Sequence, residues 1–499
     1  MSIQQADNTS HKQILKSTGI IGGEQIIILL AGIVRGKVVA LLLGPVGVGL
    51  AGLYQSTIDL VRNGTGLGLG FSAVRDVAES AGTGDEKEVS KIILILRRWV
   101  WATGLIGMAL VLLFCRTLSE YAFGDDHHAW PFALLSVTVL LSSVSSGQLA
   151  LLQGLRKIAY LAKANVASVV AGLAVAIPLY WRYRNDGIVY AMIAVAALGL
   201  LFSWIYAGKI RTVPVKVGVR DTISGGLGMA KLGFFMVLTG LLSTGTMFAI
   251  RILIKQKLNL DAVGQFQAAW TISSVYLAAV LNAMGADYFP RLSSVQKDNA
   301  RINVLVNEQT EIALLIAGPL IICMLSFSHV LVQTLYSSKF ERTIDILQWQ
   351  ILGSYIKVIS WPIGFVFLAR RKVVIFALSE VLWNVLYFGM IVGGWKVFGI
   401  EITGISFLIS YALSITFIFF TTRSITGFSW NGKNGKLIFI FGVFALVSFL
   451  SSRRFSGIGM YTLGIILTGL SAYISYYYLK KIVSIQSIIQ KLTGWSGIK

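Results

Sequence analysis

The sequence predicts an all-α integral membrane protein of about fourteen transmembrane helices. Its residues are 55% hydrophobic and only 13% charged, and a mean hydropathy of +0.74 is too apolar for a soluble globular chain. Apolar runs of the length that crosses a bilayer, roughly 20 residues, recur to the end of the 499 residues. The basic residues behind the net charge of +21 lie between those runs. They therefore read as orienting charges and not as a nucleic-acid surface.

The spans are expected in order. Ile20–Leu43 and Val46–Phe71 form an opening pair around the turn Gly44-Pro45, followed by Trp99–Phe114, Phe132–Gln153, Ala159–Tyr180 and Ile188–Ala207. A basic, glycine-containing connection separates these six from Leu232–Ile254, Val263–Phe289, Ile312–Gln333, Ile346–Leu368, Val373–Trp395 and Ile400–Thr421. Leu437–Ser451 and Ile458–Leu479 close the chain as an extra pair. The expected organisation is residues 1–207, a cytoplasmic connection at 208–231, a second half at 232–425, the extra pair at 436–482 and a cytoplasmic tail at 483–499.

Charge fixes the expected orientation. With both termini in the cytoplasm, the inner connections collect Lys87, Lys91, Arg156, Lys157, Lys209, Arg211, Lys216, Arg220, Arg370, Arg371, Lys372, Lys433, Lys436, Lys480 and Lys481, among others. The outer side holds fewer, chiefly Arg116, Arg182, Arg184, Lys255, Lys257, Lys339 and Arg342. That bias obeys the positive-inside rule. No cleavable signal peptide is expected, because the first 13 residues are polar and Ile20–Leu43 is too long for a signal core. Cys115 and Cys323, far apart in apolar runs, read as packing residues.

Charges at membrane depth are the candidate functional groups. Glu24, Arg35 and Lys37 fall in the first span, and Asp59 and Arg62 in the second. Such groups face a partner or a water-filled cavity, since an ionised side chain at the bilayer centre costs about 2.5–3.5 kcal/mol even on lenient scales. Glu24 and Arg35, eleven residues apart, stack on one helix face, and Asp59 and Arg62 at i, i+3 can neutralise each other. Lys37 points elsewhere.

The halves also look like a weak internal repeat. Arg35 and Arg75 are forty residues apart, as are Arg251 and Arg291, and Gly47-Val48-Gly49 has a counterpart in Ala262-Val263-Gly264, one residue out of register. Parallel repeats of this kind are a transporter plan. Gln350, Ser354, Lys357 and Trp361 share one helix face, and Glu380, Trp383, Asn384 and Tyr387 share another on the next helix. Arg35, Arg62, Arg251 and Lys357 are the candidate cationic binding residues, because packing alone rarely uses a guanidinium or an ammonium. Glu24, Asp59 and Asp287 are the candidate coupling or gating acids. The alternating glycines from Gly64 to Gly70 follow an apolar helix, so they suit close packing or a bend and not a nucleotide loop. Asp125-Asp126-His127-His128 lacks a matching ligand cluster, so no metal and no cofactor are expected.

Several stretches resemble a known family. The string from Val38 to Leu50, Val263–Trp270, Tyr288-Phe289-Pro290-Arg291-Leu292, Lys339-Phe340 and Trp349–Lys357 are similar to Wzx-type flippases of O-antigen and enterobacterial common antigen units. These belong to the multidrug/oligosaccharidyl-lipid/polysaccharide exporter superfamily. The resemblance covers about residues 14–425. It implies two six-helix lobes in a V around a central cationic cavity, in the bacterial inner membrane. It also implies an undecaprenyl-pyrophosphate-linked oligosaccharide as substrate, moved from the cytoplasmic to the periplasmic leaflet by alternating access, with membrane lipids and other polysaccharide-assembly proteins as partners. The extra pair departs from the twelve-span members and is seen in related lipid II flippases. A drug/cation antiporter of the same superfamily is the alternative, and would carry an acidic cavity. An enzyme of the same pathway would need a larger external loop than the 17 residues from Cys115 to Pro131.

Overall fold

Glycine and proline set the first break in the chain. In the computed structural model, which describes residues 3–455 and 457–482, α1 (Ile3–Thr65) is two helical arms joined at Gly44. Gly44 has φ 67° and ψ −168°, a region open only to glycine. Pro45 has no N–H to donate and a φ suited to a first helical turn, so a new arm starts there. The cytoplasmic tail expected at 483–499 lies outside the described residues.

The glycine run makes the second break. The expected second span extends to Phe71, but the helix stops at Thr65. Leu67 and Gly68 turn with φ of 48° and 68°, and α2 (Leu69–Thr83) starts afresh. The third helix, α3 (Glu86–Leu113), begins before the expected Trp99 because the Asp85 carboxylate accepts from Lys87 N and Glu88 N at 2.8 and 3.4 Å. Glu86 and Glu88 in its first turn complement the helix dipole. The chain continues through α4 (Cys115–Phe123), α5 (Ala129–Gly154), α6 (Ile158–Tyr183), α7 (Gly187–Ala207), α8 (Val219–Lys257) and α9 (Leu260–Trp270). A π-helical turn at Thr271–Val275 leads into α10 (Tyr276–Ser294). Then come α11 (Asn299–Ser326), α12 (Ser328–Leu335), α13 (Thr343–Ala369), α14 (Val373–Phe398), α15 (Ile402–Thr426), α16 (Gly432–Arg454) and α17 (Ile458–Ile482).

Among the described residues, eleven helical stretches are long and apolar enough to cross a membrane, or up to twelve if the bent pair Leu260–Asn282 and Asp287–Ser294 is one span. Two of the eleven are compound: Gly22–Thr65 contains the Gly44 break, and Val373–Thr426 contains α14 and α15. The difference from the fourteen spans expected lies in these two stretches, which the hydropathy reading divides, and in the bent pair, which it counts as the span Val263–Phe289.

The chain forms two compact units. The first holds residues 1–267 with Leu335–Lys339. Here α6 packs on α7, α5 on α3 and α7, and α1 on α6 and α8. Leu69, Ala73, Val77, Ile93, Leu96 and Leu151 form a buried cluster that ties α2 to α3 and α5. The second unit holds residues 268–334 and 340–499. There α13 packs on α15 and α11, and the last pair, α16 and α17, packs on α11. Gly318 of α11 gives the Phe441 ring room to lie on the helix backbone, and Ser326 donates to Ser448 at 3.1 Å. Large apolar side chains such as Leu113, Trp130, Val219 and Ile458 are exposed, as expected where lipid replaces water as the solvent.

Candidate functional site

The site in the first unit is built from two facing helix stripes. On α1, Gly52, Gln55, Ser56 and Asp59 fall at i, i+3, i+4 and i+7, and Arg62 and Asn63 continue the same row, with Gly66 just past the helix end. On α8, Val237, Gly240, Ser243, Thr244, Met247 and Arg251 form the opposing row. Between them lie two cavities. One of about 240 Å³ is lined by Gly52, Gln55, Ser56, Asp59, Ser243, Thr244, Met247, Arg251 and Gln267. The other, of about 360 Å³, is lined by Arg62, Asn63, Gly66, Gly68, Val237 and Gly240, with Thr103, Ser143 and Ser146 from α3 and α5.

The charges in these rows are held in place. Asp59 Oδ1 is 2.9 Å from the Arg62 guanidinium, and Gln55 Nε2 donates to Asp59 Oδ2 at 3.0 Å. The pair thus stands at the junction, Asp59 in one cavity and Arg62 in the other. Arg251 is only 7% exposed, and its Nε and Nη2 both donate to Gln267 Oε1, at 3.0 and 2.7 Å. A buried guanidinium beside hydroxyls and amides can receive a phosphate or carboxylate bidentately.

Both ends of the paired rows close by backbone contact. A Cβ on Gly49 would overlap the Leu260 carbonyl and Gly264 N, and one on Gly264 would overlap the Pro45 carbonyl. At the other end Gly68 and Gly233 meet backbone to backbone.

The remaining expected residues are placed elsewhere. Glu24 is buried and accepts from Asn165 Nδ2 of α6 at 2.7 Å. Lys37 Nζ donates to the Tyr336 carbonyl at 2.7 Å. Arg35 is half-buried on the first arm of α1 and lines neither cavity. Asp287 is exposed and pairs with Arg291 at 3.3 Å. Of the four basic candidates, the first unit brings Arg62 and Arg251 to adjoining cavities, with Asp59 between them.

Lys357 belongs to the second unit. Its ammonium interacts electrostatically with Glu380 and lies 5.8 Å from the centre of the Tyr411 ring. The Trp383 and Tyr387 rings meet at a tilt with centroids 5.0 Å apart, and Ser273 donates to Gln350 Oε1 at 2.8 Å. The two polar faces read from α13 and α14 thus bring Lys357 and Glu380 within electrostatic reach of each other. Gln55, Gln267, Ser243 and Thr244 were missed as site residues. The signal for Gln55, Ser243 and Thr244 was their helical spacing from Asp59 and Arg251, whereas Gln267 stands on the next helix, α9, and no spacing pointed to it.

This fold is that of the transporters of the MOP superfamily. The structure matches an inward-facing multidrug resistance MATE family transporter of that superfamily with a TM-score of 0.67, at 15% identity over 81% of this chain and 94% of the other. It matches the lipid II flippase MurJ in an inward closed conformation with a TM-score of 0.66, at 13% identity over 94% and 99% of the two chains. The chain belongs to the polysaccharide biosynthesis protein family, whose sequence profile matches residues 38–345. It is 22% identical to the lipid III flippase of Escherichia coli K12 over 70% of this chain and 84% of that protein. It is 23% identical to stage V sporulation protein B of Bacillus subtilis over 42% of each.

Proposed function

We propose that this multi-pass membrane protein flips an undecaprenyl-pyrophosphate-linked oligosaccharide, an O-antigen or enterobacterial common antigen unit, from the cytoplasmic to the periplasmic leaflet. The observation that carries this reading is the buried Arg251 guanidinium at a hydroxyl- and amide-lined cavity that adjoins the cavity of Arg62. A pyrophosphate crossing a bilayer needs charge compensation and hydrogen bonds that water no longer supplies. Arg62 and Arg251 supply forked donors, and Ser56, Ser243 and Thr244 supply hydroxyls suited to phosphate or sugar. Arg35 and Lys357 complete the cationic set expected from sequence. The antiporter alternative needs an acidic cavity, whereas Asp59 is paired with Arg62. Similarity to the lipid III flippase supports the lipid-linked substrate. Alternating access, with Glu24, Asp59 and Asp287 as coupling or gating acids, belongs to the same reading.

Deletion of the gene tests it. A lipid-linked oligosaccharide intermediate should accumulate on the cytoplasmic side, wild-type protein should clear it, and Arg62→Ala or Arg251→Ala should not. Arg251→Lys should clear it in part, since the charge stays and the fork is lost. Full clearance by the Arg62→Ala/Arg251→Ala double variant at normal membrane level would overturn the assignment.

A further inference from the structure

The cavity of Arg62 does not end at polar residues. Thr103 of α3 lines it and also lines a larger space of about 550 Å³, within the range of ligand pockets. That space is apolar. Leu67, Trp99, Ala102, Ile106 and Ile223 supply most of its wall, between α3 and the start of α8. Leu67 also lines a third space with Leu227, Lys231 and Val237, and Val237 returns to the Arg62 cavity.

The groove has fixed walls and an open side. Trp99, Ala102, Thr103 and Ile106 make one face of α3 at i, i+3, i+4, i+7. At the mouth, Arg98 Nη1 donates to the Val217 carbonyl at 2.9 Å and to Thr222 Oγ1 at 2.7 Å, while Trp99 Nε1 donates to the Thr222 carbonyl at 2.7 Å. Gly226 admits the Trp99 indole against the α8 backbone, where a Cβ would overlap it. Ile106 and Ile223 stay 56% and 50% exposed, so the groove opens laterally to whatever surrounds the helices.

We infer that this groove holds the first isoprene units of a polyprenyl diphosphate whose phosphates sit at Arg62. This rests on the transport reading above and adds where the carrier chain lies. Two features select that occupant. The groove shares the Thr103 wall with a guanidinium-bearing cavity, and Arg98 adds a second cation at its mouth, so sites for an anionic head and an apolar tail stand side by side. The apolar cavity of about 510 Å³ in the second unit, lined by Tyr355, Ile359, Phe419, Phe420 and Trp430 among others, has no cation in its wall. On the orientation expected from charge, the groove faces the cytoplasmic leaflet, where such a substrate is made.

The test uses the full chain in nanodiscs containing phosphatidylglycerol, with a photoreactive phenylalanine analogue at Ile106, Ile223, Ser243 or Ile415 and undecaprenyl diphosphate as probe. Adducts with undecaprenyl diphosphate are expected at Ile106 and Ile223 and not at Ile415. Ala102→Trp, which fills the groove, should reduce the Ile106 adduct about tenfold or more, the effect of excluding buried methylenes. Ile223→Trp should do the same to the Ile106 adduct, while the Ser243 adduct reports an intact cavity. An adduct at Ser243 without one at Ile106 or Ile223 would overturn the groove and leave the transport reading standing. So would an Ile106 adduct with phosphatidylglycerol that undecaprenyl diphosphate does not displace. Absence of adducts at every position, with export unaffected by the Arg62→Ala/Arg251→Ala double variant, would overturn both.

Discussion

Gly49 and Gly264 hold the Pro45–Gly49 turn and the Leu260–Gly264 turn at backbone contact, each filling the space where the other's segment would admit no Cβ. These glycines are the counterparts noted in the repeat. Because backbone and not a flexible side chain is in the way, substitution must move a helix end. Gly264→Val should lower the thermal midpoint of the purified protein, in line with overpacking costs of about 1–3 kcal/mol, and Gly264→Ala should lower it less. A midpoint equal to wild type for Gly264→Val would show that the turns do not meet.

Glu24 is one of the three acids proposed above for coupling or gating, and the first unit ties it to a neighbouring helix. It is buried with an amide and not a cation as its described partner, Asn165. Glu24→Gln should flatten the dependence of export on external pH while leaving protein level unchanged. An unaltered pH profile would remove Glu24 from the coupling step.

The topology read from charge predicts which exposed sites a membrane-impermeant thiol reagent reaches. With native cysteines replaced, single cysteines at Gly124 and Ser338 should be labelled in intact cells with permeabilised outer membrane, and those at Gly84 and Ser224 only after lysis. All four positions are exposed, so burial does not decide the outcome. Labelling of Gly84 in intact cells would invert the orientation.

His128, between α4 and α5, predicts a pH dependence of stability. Its ring stacks on Phe123 at 3.9 Å, and its Nδ1 is 2.7 Å from the Tyr54 hydroxyl. Burial pushes the imidazole below its ordinary range, Asp125 pulling it partly back, with Lys255, His127 and Asp186 also nearby. The fold therefore prefers neutral His128, and the unfolded chain takes up its proton first as pH falls. Its stabilisation is full above about pH 6.5 and is lost as pH drops below that value. Thermal midpoints should fall between about pH 7 and pH 5.5, and His128→Phe should make that fall shallower. Equal slopes for both proteins would exclude His128 as the titrating group.

Much of this architecture was legible in the sequence because membrane helices announce themselves by length and apolarity. The breaks at Gly44-Pro45 and across Gly64–Gly70 were visible as backbone requirements. Arg62, Asp59 and Arg251 were legible as charges where lipid forbids them. The walls of their cavities were not, because Gly52, Ser56, Ser243, Thr244 and Gly240 are small residues whose helical row also suits plain helix packing. Arg35 shows the opposite limit. Its charge at membrane depth was plain, but nothing in the sequence reveals that the cavities form on the second arm of α1 while Arg35 stands on the first. The start of α3 was missed because Asp85 and the acidic first turn extend an apolar helix into polar sequence.

The π-helical turn at Thr271–Val275 bears on how the two halves of the sequence came to differ. Under the repeat read from the sequence, Gly49 follows Arg35 by fourteen residues and Gly264 follows Arg251 by thirteen, while Arg75 follows Gly49 by 26 and Arg291 follows Gly264 by 27. The later copy thus holds one residue more between its glycine and its second arginine. A π turn is the form a single added residue takes inside an α-helix, looped into one wider turn while the helix beyond keeps its phase. On this count the extra residue of the later copy falls in the interval that contains the Thr271–Val275 turn, and the 53° bend between Leu260–Asn282 and Asp287–Ser294 then sets the direction of the segment that carries Arg291.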